Sequence, residues 1–130
     1  MVIDTSALLA LLFNEPEAPS AARILSNTTP LTLSSFTLLE TQIVVTARKG
    51  PAGFRELQHV LHTLKVEIIA LTEEQTELAM EAWLRFGKGR HRAGLNIGDC
   101  CSYALTAHSG QTLLYKGNDF GATDLKCQHL

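Results

Sequence analysis

Four short apolar runs alternate with longer stretches of helical periodicity, and this alternation constrains the fold more than any other feature of the chain. Met1 to Ile3, Leu31 to Leu33, Val66 to Leu71 and Gln111 to Tyr115 are each long enough for one short strand and no more, the first of them buried. Between them, Ser6 to Phe13 reads as a helix with Asp4, Thr5 or Ser6 as its N-cap. A second helix is expected from about Pro16 to Ser26, and a third from Phe36 to Arg48, stopped by Lys49-Gly50-Pro51. Phe54, Leu57, Leu61 and Leu64 form one stripe of a fourth. Thr72 and Gln75 have the spacing of a capping box opening a helix to Phe86. The last helix runs from Asn96 to His108 and ends at Ser109-Gly110. A short strand near the C-terminus is compatible with the pattern but not required by it. Strands alternating with helices imply an α/β fold, a mainly parallel sheet covered by helices on both faces. With 130 residues, a single domain over 1–130 is expected.

The composition supports a true core, at 45% hydrophobic residues. The 18% charged residues fall below the usual ~25%, which leaves room for a partner or a self-interface. A net charge of −2 argues against a whole-molecule electrostatic nucleic-acid binder, so any such contact must use a local basic patch. Cys100, Cys101 and Cys127 have no metal-ligand spacing and are odd in number, which fits a reducing, cytoplasmic setting. No secretory signal is expected, because the first residues run directly into a strand. The apolar run Ala7 to Phe13 is far short of the ~20 residues that cross a bilayer, and no membrane association is expected.

Against this background four acids stand out. Asp4 ends the first apolar run. Glu40 lies on the apolar helical face shared by Phe36, Ile43, Val44 and Ala47. Asp99 opens a helix that is apolar nearly all round, and Asp119 follows the strand ending at Tyr115. Each has an ordinary structural alternative: capping for Asp4 and Asp99, a buried ion pair or a solvent-reaching carboxylate for Glu40, a turn for Asp119. Yet all four come from different structural units and sit at strand ends, helix starts or inward faces. In an open parallel sheet the ligand site lies beyond the carboxyl ends of the strands. Carboxylates converging there repel one another. A hard divalent cation, magnesium or manganese, is the usual remedy for an all-oxygen donor set. A receiver-type signalling domain that binds Mg²⁺ also uses acids on an α/β sheet, but it would want paired acids after its first strand, where Asp4 stands alone.

At these residues the chain resembles the PIN-domain ribonucleases, and specifically the VapC-type toxins of toxin–antitoxin pairs. The resemblance rests on Met1-Val2-Ile3-Asp4-Thr5-Ser6-Ala7-Leu8, on Leu39-Glu40-Thr41, on the distinctive stretch from Ala93 to Leu105, and on Leu113 to Phe120 with Thr123-Asp124. It covers essentially the whole chain. It implies a PIN-like three-layer α/β/α sandwich and a Mg²⁺ site, with Mn²⁺ as a substitute, formed by Asp4, Glu40, Asp99 and Asp119. Asp4 and Asp99 would be the principal ligands, and Glu40 and Asp119 would act through water or a second ion. It further implies endoribonuclease activity, an RNA substrate, a VapB-type antitoxin partner and a homodimer. Thr5 and Ser6 could support the ligands or cap the helix. Asp124 could be an outer neighbour of the site or the cap of a last turn. Lys88, Arg90 and Arg92 form the best basic loop for gripping RNA phosphates, with Lys116 as a further phosphate contact. A non-catalytic PIN-like interaction module is the alternative within this resemblance. Nothing in the residues themselves selects RNA over DNA.

Overall fold

The computed structural model describes all residues 1–130. Five strands form one sheet in the order β3-β2-β1-β4-β5, with every pair parallel: β1 (Val2–Ile3), β2 (Thr32–Ser34), β3 (Glu67–Ile69), β4 (Leu113–Tyr115) and β5 (Cys127–His129). The fifth strand, which the sequence pattern left open, closes the β4 edge. The helices are α1 (Thr5–Leu12), α2 (Ala18–Ser26), α3 (Ser35–Thr63), α4 (Glu73–Phe86) and α5 (Ile97–Ser109), with a short 3₁₀ turn at Phe120–Ala122.

Period-two alternation along the central strands builds the layers. Val2, Leu113 and Tyr115 pack with Ala82, Phe86, Tyr103 and Leu105, the α4–α5 side of the sheet. Their neighbours Ile3 and Leu114 pack with Ala7, Leu8, Leu25, Leu31 and Leu33, the α1–α2 side. Two cores on opposite faces make the three-layer α/β/α sandwich. Each fully buried aliphatic side chain among these contributes roughly 1.5–3 kcal/mol. No helix is long and apolar enough to cross a membrane.

Two elements depart from the expected pattern. The break at Lys49-Gly50-Pro51 is a kink rather than a loop. Gly50 alone leaves helical geometry (φ 63°, ψ −159°), a conformation that favours glycine, and Pro51 starts the second half of α3 at once. The capping box of α4 forms only by half. Thr72 accepts from the Gln75 backbone N–H at 3.3 Å, but the Gln75 side chain does not return the bond. Gln75 is instead 1% exposed, and its Oε1 is buried with no partner. An orphaned buried acceptor costs about 1–3 kcal/mol. Replacing it with a shape-matched apolar side chain, Gln75→Met, is expected to stabilise the fold by about 1 kcal/mol in a urea melt.

The strand order fixes where a site can lie. β1 has β2 on one side and β4 on the other, so the crevice opens where the chain leaves the carboxyl ends of β1 and β4. Asp4 follows β1 there, and Lys116 to Asp119 follow β4.

Candidate active site

Asp4 is 4% exposed and held by three donors. The Ser6 backbone N–H (2.9 Å) and Ser6 Oγ (2.6 Å) donate to Oδ2, and Ser102 Oγ donates to Oδ1 at 2.8 Å. The first contact makes Asp4 the N-cap of α1. Its backbone N–H reaches Leu114 of β4 at 3.0 Å, which pins it beside the second strand of the crevice. Ser6 Oγ also accepts from the Lys116 backbone N–H at 3.0 Å. Behind Ser102 the buried Thr37 hydroxyl lies at 3.2 Å.

Glu40 projects from α3 toward α5. Thr5 Oγ1 donates to its Oε2, and Thr41 Oγ1 lies 3.5 Å from Thr5 Oγ1. The carboxylate rests against Gly98, where a Cβ would come within 2.5 Å of Oε1 and 2.7 Å of Oε2. Glu40 makes no ion pair, so the buried-salt-bridge alternative for it does not hold.

Asp99 completes a full capping box with Asn96. The Asn96 backbone N–H donates to Asp99 Oδ2 at 2.8 Å, and Asn96 Oδ1 accepts from the Asp99 backbone N–H at 3.0 Å. One oxygen is thereby engaged in capping, and Oδ1 has no protein donor. Capping and a role at the crevice are therefore compatible for Asp99, as they are for Asp4. Burial pushes the Asp99 carboxyl up from 3.8 to about 7. The Asn96 backbone hydrogen bond opposes this, and the negative charges of Asp4, Asp119 and Glu40 add to it. Asp4, Glu40 and Asp119 thus each lie near enough to Asp99 to act on it electrostatically. Asp119 is exposed, immediately before the 3₁₀ turn, and its carboxylate neither caps that turn nor has any protein donor.

The carboxylates do not form a closed cage. No three His, Cys, Asp or Glu side chains stand close enough together to hold a metal ion as they are. Side-chain rotation would have to close the ring. The donor chemistry nonetheless fits a hard cation: every candidate ligand atom is a carboxylate oxygen, several lack a protein donor, and no lysine, arginine or histidine pairs with any of the four acids.

Other expected residues are engaged elsewhere. Lys116 Nζ is clipped between Glu15 and Glu17, both at 2.7 Å, and these hydrogen bonds raise its pKa. In the structure Lys116 is thus paired with its own glutamates. Asp124 accepts from Tyr103 Oη (2.7 Å) and Arg85 Nη2 (2.6 Å), tying the C-terminal segment to α4 and α5. These two bonds make it an anchor of that segment. In the basic loop, Arg90 lies 4.2 Å over the Trp83 ring. Lys88 and Arg92 are exposed and make no ion pair. His59 and His62 are exposed, as expected.

Sequence reasoning missed Ser102, Thr37 and Gly98. The signal for Ser102 was a lone serine in the otherwise largely apolar run Cys100 to Leu105 of a buried helix. For Gly98 it was a glycine inside the first turn, where nothing in a helix asks for one.

The PIN domain family model matches residues 1–126. The chain is 48% identical to Ribonuclease VapC of Mycolicibacterium smegmatis over 129 residues, 99% of this chain and 100% of that protein. It is 47% identical to Ribonuclease VapC30 of Mycobacterium tuberculosis over 125 residues, 96% of this chain and 95% of that one. Among solved structures it is similar in fold to Mycobacterium tuberculosis VapC20, described as a Sarcin-Ricin loop cleaving toxin (TM-score 0.78, 22% identity, 95% of each chain). It is also similar to VapBC2 of Rickettsia felis, solved with a DNA fragment from the promoter (TM-score 0.79, 16% identity, 99% and 97% of the chains). The fold and the family match define a PIN-domain protein. The chain belongs, within the PIN-domain family, to the VapC ribonucleases, and the receiver-type reading falls away.

Proposed function

We propose that the chain is a Mg²⁺-dependent endoribonuclease, the toxin of a VapBC-type pair, acting in the cytoplasm and hydrolysing RNA phosphodiester bonds at Asp4, Glu40, Asp99 and Asp119. One observation carries this reading: the Glu40 carboxylate accepts from Thr5, next to Asp4, and rests against Gly98, next to Asp99, so acids from distant parts of the chain meet with no protein cation paired to them. Asp4 and Asp99 would hold the ion, each through an oxygen left available by its capping bonds. Glu40 and Asp119 would complete the ring. When bound there, Mg²⁺ supplies Lewis-acid polarisation of the scissile phosphate and of the attacking water. The chain's own part is to fix the carboxylates. Thr5 orients Glu40, Ser6 orients Asp4, and the Asn96 capping box orients Asp99.

Lys88 and Arg92 are free to grip the RNA backbone. Replacing both with alanine is expected to raise KM for RNA with little change in kcat, and to flatten the salt dependence of binding. Kinetics over a range of NaCl concentrations check this.

A VapB-type antitoxin is the proposed partner. Exposed Leu39 and Ile43 flank Glu40 on α3, and Ile97, 69% exposed, lies two residues before Asp99. A partner covering this apolar rim would also cover the acids. Met80 and Trp83 extend it as a groove of about 380 Å³ with Phe36, Leu71 and Ile97. Exposed apolar surface of this extent also suits the proposed homodimer.

The test is cleavage of a panel of structured RNAs, and of matched DNAs, by antitoxin-free protein with and without Mg²⁺. Metal-dependent cutting of RNA alone supports the reading. A folded protein that cuts nothing would favour the non-catalytic interaction module, and cutting of DNA would move the substrate class.

A further inference from the structure

We propose that Ser102 is a positioning residue, one that presents a single oxygen of Asp4 to the metal. This rests on the metal-nuclease reading above and goes beyond it, because Ser102 lies a full helical turn past Asp99 and touches no substrate surface.

An ionised carboxylate offers about four acceptor positions, two on each oxygen. Oδ2 of Asp4 receives both Ser6 donors, the backbone N–H and the hydroxyl, and is filled. Oδ1 receives one donor only, Ser102 Oγ, and keeps one position open. A cation taken up by Asp4 therefore meets Oδ1, the oxygen that Ser102 holds. The proton directions follow. Asp4 can only accept, so Ser102 gives it its one hydroxyl proton, and the 3.2 Å contact with Thr37 must be donated by Thr37. Thr37 in turn receives Thr41 Oγ1 at its carbonyl at 2.8 Å. Ser102 is 1% exposed, and Thr37 equally so, so water does not compete for these bonds. The file Thr37–Ser102–Asp4–Ser6 joins α3, α5, β1 and α1, and Ser6 extends it to the backbone after β4. It fixes the carboxylate plane from both sides.

The experiment is calorimetric titration of MnCl₂ into the full chain and its Ser102→Ala and Ser102→Thr variants, with a thermal melt of each. Ser102→Ala removes one oxygen and leaves the helix intact. It is expected to weaken Mn²⁺ binding about 10- to 100-fold, the usual consequence of losing a partner that orients a ligand. Ser102→Thr restores the hydroxyl and is expected to return affinity to near the wild-type value. With an RNA that the wild type cuts, Ser102→Ala should lower kcat and leave KM unchanged. Wild-type affinity in Ser102→Ala would overturn the proposal, as would equal weakening in both variants, which would mark a packing effect. A wild-type chain that takes up no Mn²⁺ would overturn the metal site itself, and the inference with it.

Discussion

Asp99→Asn is expected to abolish RNA cleavage and at the same time to stabilise the metal-free protein above neutral pH. Asparagine keeps an oxygen to accept the Asn96 backbone N–H, so the capping box that starts α5 survives. What it removes is the charge. In the folded wild type the Asp99 carboxyl sits at about 7, against 3.8 for an ordinary aspartate. Between those values the native state binds one more proton than the unfolded chain, so stability falls as pH rises through this window and levels off above about 7. The contribution is fully present below pH 4 and lost by pH 8. Asp99→Asn has no such slope. Because Asp99 is only half-buried and solvent screens it, the gain at pH 8 is expected at about 1–2 kcal/mol, below the full value of the shift. At pH 4 the two proteins should melt alike. Urea melts in chelator at both pH values check this. A variant that is inactive yet more stable is the signature of a residue retained for chemistry.

Gly98→Ala is expected to remove Glu40 from the site with little damage to the fold. The new methyl would lie 2.5–2.7 Å from the two carboxylate oxygens, and the obstructing group is the end of a flexible side chain, which can swing away. The backbone need not move, so the stability cost is expected to stay within about 1 kcal/mol. Activity, by contrast, should fall about 10- to 100-fold, as when an orienting partner is lost. If displacement of Glu40 is the whole effect, then Glu40→Ala and Gly98→Ala will not add: the double variant should be no slower than Glu40→Ala alone. Additive losses would mean that Gly98 acts through helix packing instead.

Much of this architecture was legible in the order of short apolar runs. Within them, the structure turns Val2 and Leu113 to one face and Ile3 and Leu114 to the other, into two cores. Glu40 stood out because it broke a local rule, an acid on an apolar stripe, whereas Asp4, Asp99 and Asp119 each obeyed one and stood out only as a set. Less legible was everything decided by partners far away in sequence. Lys116 and Asp124 looked available beside the site, yet Glu15 and Glu17, about a hundred residues upstream, claim the lysine, while Arg85 and Tyr103 claim the aspartate. Capping and ligation looked like competing roles for Asp4 and Asp99. The geometry shows them to be compatible, because a carboxylate has oxygens for both. The hydroxyls that hold Asp4 and Glu40 were invisible for the same reason: serine and threonine in helices have many uses, and only the crossing of α3, α5 and α1 shows which one applies.

The central claim is that these four carboxylates are one metal centre. Anomalous scattering from crystals of the antitoxin-free protein soaked in MnCl₂ tests it most directly. A manganese peak enclosed by Asp4, Glu40, Asp99 and Asp119 is expected, absent from Asp99→Asn crystals treated in the same way. Manganese bound only elsewhere, or an unchanged peak in the variant, would contradict it.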